Sequence, residues 1–143
     1  MISADAILTN TYYAAAYAGV GVLLMLISFA VIDALTPGNL RHQLWIDRNR
    51  NAGILVGSNL IAVAIIVTAA IAASEGRLAV GLTYTVIYTL IGLAVMCATF
   101  FIIDLFTPGK LGEIAIGAES HPAVWVHGIS HVGIAVIVAA AIL

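Results

Sequence analysis

Charge is the scarcest property of this 143-residue chain. Only 8% of its residues are Asp, Glu, Lys or Arg, whereas soluble domains contain about 25%. Hydrophobic residues make up 63% of the chain, so too few polar side chains are present to cover a water-soluble globule. The net charge of −2 also gives no sign of the basic surface that nucleic-acid binding requires. The composition therefore excludes a soluble domain and a nucleic-acid-binding module, and it indicates a membrane protein.

Cysteine and recognisable catalytic motifs are equally scarce in the sequence. Cys97 is the single cysteine, which excludes an intramolecular disulfide. The sequence contains no paired-cysteine motif, no glycine-rich phosphate loop, no recognisable nucleophile–base–acid set and no sizeable soluble segment. We therefore expect that the protein is not an enzyme, and the sequence indicates no cofactor.

The chain contains four long stretches without any Asp, Glu, Lys or Arg. Each is at least 21 residues long, and they cover residues 12–32, 52–73, 78–103 and 123–143. About 20 helical residues cross the hydrocarbon core of a bilayer. Continuous apolar runs satisfy their backbone hydrogen bonds in lipid as helices, whereas the strands of a membrane barrel alternate in polarity. The sequence predicts an all-α integral membrane protein with four transmembrane helices.

An internal repeat organises these helices. Residues 11–71 align without a gap to residues 82–142, and 19 of the 61 paired positions are identical. The clearest match is IDALTPGNL at 32–40 against IDLFTPGKL at 103–111. We predict two transmembrane hairpins, residues 1–75 and 76–143. Because each hairpin has an even number of spans, the two copies should be parallel and related by a pseudo-twofold axis along the membrane normal.

The basic residues predict an orientation. Four of the five lie in the first and third connections between membrane helices (residues 33–51 and 104–122), and they are Arg41, Arg48, Arg50 and Lys110. Only Arg77 lies in the second connection. Short cytoplasmic loops carry the excess of Lys and Arg. We therefore expect the first and third connections in the cytoplasm and both termini outside it.

The repeated Thr-Pro-Gly element predicts how each membrane helix ends. The residue before proline disfavours the α region, threonine is a good N-cap, and proline suits the first helical position. We therefore expect short interfacial helices that begin at Pro37 and Pro108, with Thr36 and Thr107 as their N-caps. The N-caps expected for the membrane helices that follow are Asp47 and Ser120.

These blocks support a family resemblance. The two I-D-x-x-T-P-G-x-L segments, each at the end of a membrane helix, resemble the bacterial domain-of-unknown-function 350 membrane family. The resemblance extends from about Tyr12 to Leu143. It implies a multi-pass protein of the bacterial inner membrane, and it implies no established activity, substrate or cofactor. The second repeat has His121-Pro122 where the first has Arg50-Asn51, which departs from the usual pattern.

Asp33 and Asp104 occupy the same position in the two repeats, at the C-terminal end of a membrane helix. The helix dipole disfavours an anion there by about 0.3–1 kcal/mol, and an uncompensated carboxylate near lipid costs more. Each aspartate could bind a nearby cation or a backbone N–H of the Thr-Pro turn. Alternatively, the pair could form the cytoplasmic mouth of a proton or cation pathway.

His127, Ser130 and His131 lie on one face of the last helix, because residues three and four apart are neighbours. Polar residues in a membrane segment face protein or water, and Asn59 lies at a matching depth. Three interpretations stay open: interhelical hydrogen bonds, a proton or ion pathway, and metal or haem ligation by His127 and His131. A metal such as zinc would need a third ligand, for which Asp33 or Asp104 is a candidate.

Three functional hypotheses follow. Four helices bury limited internal surface and lipid provides no hydrophobic drive between them, so a homo-oligomer is expected. The small-residue motif Gly53-x-x-x-Gly57 could pack within the chain or form a seam between subunits. The first hypothesis is a membrane assembly with a proton or ion pathway. The second is a non-conducting scaffold whose basic first loop binds anionic lipid or a cytosolic partner. The third is a metal- or haem-binding membrane subunit. The residues proposed for lipid or partner contact are Arg41, Arg48 and Arg50.

Overall fold

Six helices form the protein in the computed structural model, which describes residues 4–74, 76–117 and 119–143. They are α1 (Ala4–Leu35), α2 (Leu40–Trp45), α3 (Arg50–Ala72), α4 (Leu78–Phe106), α5 (Leu111–Ile116) and α6 (Pro122–Ile142). These described ranges contain no strand. Four of the helices are long and apolar enough to cross a membrane, which confirms the all-α transmembrane class. The two short helices α2 and α5 follow the Thr-Pro-Gly elements, as predicted.

Helix α3 is the centre of the bundle. It contacts each of the other five helices, and its packing against α6 is the most extensive in the protein. Half of the residues in the most apolar 18-residue stretch of α3 are buried, compared with 17% in the corresponding stretch of α1. Glycines allow this close packing: a Cβ atom at Gly128 would lie 3.0 Å from Ser58 Oγ, and one at Gly92 would lie 2.7 Å from Ile66 Cδ1. Most of the surface of α1 is therefore left for lipid or for a partner.

The connections separate into two ends of the bundle. The first and third connections contact each other through Asn49, whose Nδ2 lies 3.0 Å from the carbonyl of Ile116. At the opposite end, Tyr17 Oη and Ser74 Oγ are 3.1 Å apart. The first and third connections thus share one end, as the sequence predicts. The division at residue 75 and the pseudo-twofold axis stay predictions.

The short helices begin three residues later than predicted. Gly38 and Gly109 have φ angles of +90° and +96°, a left-handed conformation that glycine adopts without steric cost and that a helix cannot contain. The predicted threonine caps are therefore wrong. Thr107 Oγ1 donates back to the carbonyl of Ile103 at 2.8 Å. Asn39 caps α2 instead, and its side chain accepts from the backbone N–H of His42.

The N-caps predicted for the membrane helices are also wrong. Asn49 caps α3, and its Oδ1 lies 2.9 Å from the N–H of Asn51. Asp47 is unsuitable because its carboxylate pairs with His42 Nδ1 at 3.0 Å. His121 caps α6, and its Nδ1 accepts from Ala123 N at 3.1 Å. Pro122 determines this choice, because proline at the first helical position leaves the preceding residue as the cap. Ser120 therefore lies one residue too early.

Candidate functional sites

Asp33 holds the first Thr-Pro-Gly turn closed. Its Oδ1 accepts a hydrogen bond from the backbone N–H of Leu40 at 2.9 Å, so the carboxylate at the end of α1 joins the start of α2. The sequence analysis considered a hydrogen bond from a backbone N–H to each aspartate, and the structure shows such a bond for Asp33. Asp104 has the corresponding position near the end of α4 and is also half-buried.

An asparagine clamp, formed by Asn49 and Asn51, joins the first and third connections. Asn51 is 1% exposed. Its Nδ2 donates to the carbonyl of Glu119 at 2.7 Å, and its Oδ1 accepts from His121 N at 3.2 Å. Asn49 donates to the third connection through its own Nδ2. The sequence analysis missed this clamp. The sequence does show two asparagines directly before an apolar run, a position where asparagine often caps a helix.

The first-loop groove is an open cavity of about 850 Å³ between α1, α2 and α3. Its walls are mainly apolar and its polar end is cationic. The residues that line it are Val22, Met25, Leu26, Phe29, Asn39, Arg41, His42, Trp45, Ile46 and Leu60. The Arg41 guanidinium carbon lies 6.0 Å from the centroid of the Phe29 ring. This places a fixed cation at the point where the apolar groove meets the polar connection.

Only one of the three arginines proposed for lipid or partner contact belongs to this groove. Arg41 lines it, whereas Arg48 and Arg50 are exposed elsewhere in the connection and at the start of α3. Arg48 has a φ of 52°, a left-handed conformation that costs a non-glycine residue roughly 1–2 kcal/mol. The structure therefore divides the three arginines into one groove residue and two outward-facing residues, and their contact with lipid or a partner stays a prediction.

The histidine cluster, formed by His127 and His131 with Phe100, lies within the bundle. The imidazoles are 0% and 1% exposed, and their ring centroids are 4.1 Å apart. Phe100 packs edge-on against His127 at 5.1 Å. All four imidazole nitrogens are buried and have no hydrogen-bond partner among the described residues. A buried polar group without a partner costs about 1–3 kcal/mol, so these imidazoles lower the stability of the folded chain unless a further partner binds them.

A small cavity adjoins His131. Its volume of about 10 Å³ is close to the smallest that holds one water molecule. The residues that line it are Val31, Ile32, Leu35, Asn59, Leu93, Met96, Cys97, Phe100 and His131. Met96 and Cys97 also line this cavity, and the sequence analysis did not place either residue near His131. Contact between α4 and α6 cannot be deduced from the spacing within either helix.

The other polar residues predicted at this depth have conventional partners. Asn59 is buried, and its Nδ2 donates to Ser28 Oγ at 2.7 Å, which is an interhelical hydrogen bond of the predicted kind between α3 and α1. Ser130 is half-buried, and its hydroxyl donates to the carbonyl of Val126 in its own helix. The structure thus brings Asn59 and His131 to one cavity, and Ser130 is satisfied separately.

A three-residue metal site of the zinc type is not formed. Within the described ranges, no three His, Cys, Asp or Glu side chains are close enough to hold a metal ion. Neither Asp33 nor Asp104 therefore supplies the third ligand that the sequence analysis considered for His127 and His131.

A glycine groove of about 560 Å³ separates the outer surfaces of α3 and α6. Its members include Gly53, Gly57, Gly128 and Gly133. Cβ atoms at Gly53 and Gly57 would meet nothing within 4 Å. The Gly53-x-x-x-Gly57 motif therefore does not pack inside the chain but faces outward.

These features define an all-α, multi-pass membrane protein with an open, mainly apolar groove at the first connection and a buried histidine cluster. The chain belongs to the family described as Domain of Unknown Function (DUF350), whose model matches residues 5–142. It is 33% identical over 141 residues to the UPF0719 transmembrane protein of Mycobacterium bovis, covering 99% of this chain and 93% of that relative. It is 34% identical over 106 residues to the UPF0719 transmembrane protein of Mycolicibacterium paratuberculosis, covering 74% and 70% of the two chains. No solved structure matches the chain.

Proposed function

We propose that this protein is a non-conducting membrane scaffold that holds an anionic phospholipid in the first-loop groove. The observation that carries this proposal is the groove itself. It has a volume of about 850 Å³, its walls are mainly apolar, and Arg41 and His42 lie at its polar end. Ligand pockets for small molecules have volumes of about 300–1,000 Å³. An acyl chain matches the wall, and a phosphate headgroup matches the cationic end.

Arg41 is suited to a phosphate. Its planar guanidinium donates to two phosphate oxygens at once, and among the described residues it makes no ion pair. His42 is already paired with Asp47, so Arg41 carries most of the unneutralised charge at this end. Trp45 is 70% exposed beside it, and tryptophan favours the headgroup level of a bilayer.

The proposed location is the bacterial inner membrane. The first and third connections face the cytoplasm, and both termini lie outside it. The basic first connection supports this orientation, because cytoplasmic loops carry the excess of basic residues and the cytoplasmic leaflet contains anionic lipid. The exposed Arg48 and Arg50 would then be available to a cytosolic partner.

A homo-oligomeric state completes the proposal. The glycine groove supports it, because small residues allow helices of two subunits to approach closely in lipid. The open space around Gly53 and Gly57 is what a helix from a second copy would fill.

Lipid retention by the purified full-length protein tests the scaffold proposal. Native mass spectrometry should show retention of phosphatidylglycerol over phosphatidylcholine, which has no net charge. Arg41→Gln should weaken that preference by about 1 kcal/mol, the contribution of a basic residue near an anionic surface, or roughly fivefold in affinity. Arg77→Gln is the matched control, because Arg77 lies at the opposite end of the bundle and is exposed. Equal retention of the two lipids, or equal effects of the two variants, would reject the groove as the lipid site.

A proton or ion pathway is the second candidate, and the histidine cluster favours it, because its ring nitrogens have no hydrogen-bond partner among the described residues. In this hypothesis Asp33 and Asp104 form the cytoplasmic mouth, and Asn59, His127, Ser130 and His131 belong to the interior path. Proteoliposomes that contain the protein should then show a pH-dependent flux that Asp33→Asn and His131→Ala both reduce. A flux equal to that of empty liposomes would instead support the scaffold.

A further inference from the structure

We propose that Met96, Cys97 and His131 form a binding site for one soft, monovalent metal ion of the copper(I) class. All three residues line the cavity of about 10 Å³ that lies among α1, α3, α4 and α6. The site is separate from the first-loop groove, and the proposal does not depend on lipid binding.

The burial of the ligands supports an occupant at this point. His131 is 1% exposed, and neither of its ring nitrogens has a hydrogen-bond partner among the described residues. Met96 is 2% exposed, and Cys97 is half-buried. The cavity has room for about one small guest, since roughly 10–15 Å³ is needed to hold a water molecule. A single ion with three protein ligands would fill the space and bind one of the two imidazole nitrogens of His131.

The donor atoms select the class of metal. A thiolate, a thioether and an imidazole are soft or borderline donors, and cysteine and methionine sulfur favour copper(I). Structural zinc sites are typically formed by four Cys, His, Asp or Glu ligands, and no three such side chains meet in the described part of the chain. The third donor here is a methionine sulfur, which suits copper(I) or silver(I) much better than zinc.

Charge balance leads to the same class. Binding converts the Cys97 thiol to a thiolate, and its proton is released to solvent. One thiolate neutralises one monovalent cation, and the imidazole and thioether ligands are uncharged. A divalent ion in the same site would leave an unbalanced positive charge among apolar side chains, where charge is costly. The site therefore stays neutral when a monovalent ion such as copper(I) or silver(I) replaces the thiol proton.

The other repeat supplies an internal comparison. Five residues that line the first-loop groove correspond, after a shift of 71 positions, to five residues that line the small cavity. The pairs are Val22 and Leu93, Met25 and Met96, Leu26 and Cys97, Phe29 and Phe100, and Leu60 and His131. The first repeat thus has leucine at both positions where the second repeat has a thiol and an imidazole. The pair of donor side chains is therefore particular to the second repeat.

Metal retention by the full-length protein in detergent tests the site. The protein is loaded under reducing, oxygen-free conditions with copper(I) or with redox-inert silver(I), desalted, and analysed for metal and protein content. The expected result is a single ion per chain, with no retention of zinc under the same conditions. Cys97→Ala and His131→Gln should each lose the ion, and Met96→Leu should weaken its retention. Met25→Leu, at the corresponding position of the first repeat, is the control and should leave retention unchanged.

X-ray absorption on the loaded wild-type protein gives a readout that does not depend on the folding of any variant. It should show two sulfur neighbours and one nitrogen neighbour around the metal. Failure of the wild-type protein to retain either copper(I) or silver(I) would overturn the proposal. A coordination shell without sulfur, or full retention of the ion by folded Cys97→Ala, would overturn it equally.

Discussion

The side-chain amide of Asn51 donates to the backbone carbonyl of Glu119 at 2.7 Å, across 68 positions of sequence. A second bond returns from the N–H of His121 to Asn51 Oδ1. One buried side chain therefore connects the start of α3 to the segment that leads into α6. These are the two helices with the most extensive contact in the bundle, so their relative position at this end depends on Asn51.

Asn51→Ala should lower the free energy of unfolding by about 1–3 kcal/mol, because it leaves buried polar groups of the third connection without partners. Thermal unfolding in detergent, followed by circular dichroism, measures the change. Asn10→Ala is the control, since Asn10 is exposed on α1 and should alter stability little. Equal stability of the Asn51 variant and the wild type would show that the clamp contributes nothing to folding.

Leu26→Trp should fill part of the first-loop groove and reduce the amount of lipid that copurifies with the protein. Leu26 lines the groove and is 61% exposed, so the larger ring enters open space and does not overpack the core. Leu23→Trp is the matched control, because Leu23 is similarly exposed and does not line the groove. Lipid extraction with mass spectrometry measures both. Unchanged lipid content in the Leu26 variant would argue against an acyl chain in the groove.

The four membrane helices could be predicted from sequence because length and absence of charge determine which segments cross a bilayer. The helix caps could not. Asp47 has the right residue type, but its carboxylate is bound by His42 in the folded protein. The same limit applies to Cys97, whose neighbour His131 lies on another helix. Residue type and spacing within one helix are encoded locally, whereas partners across helices depend on rotation and depth in the bundle.

Gly57→Leu should shift the protein from an oligomer toward a monomer. The substitution fills open space next to Gly53, so it costs the isolated chain little but prevents close approach of a second helix. Size-exclusion chromatography with light scattering, corrected for bound detergent, gives the subunit number. Gly19→Leu is the control, since a Cβ at Gly19 also meets nothing within 4 Å, but this residue lies on α1. An unchanged subunit number in the Gly57 variant would exclude the glycine groove as the interface.

Gly92→Ala should destabilise the bundle, because the added methyl group would lie 2.7 Å from Ile66 Cδ1 and 2.9 Å from its Cγ2. Inserting a methyl group into a well-packed core costs about 1–3 kcal/mol, and Ile66 is fully buried in the central cluster. Shortening the opposing side chain removes the collision, so Gly92→Ala combined with Ile66→Ala should cost less than the sum of the two single changes. Gly19→Ala, where the new methyl group meets open space on α1, should not destabilise the bundle. The four variants and the wild type are compared by thermal unfolding in one detergent. Strict additivity of the two single changes would show that α3 and α4 do not pack against each other at this point.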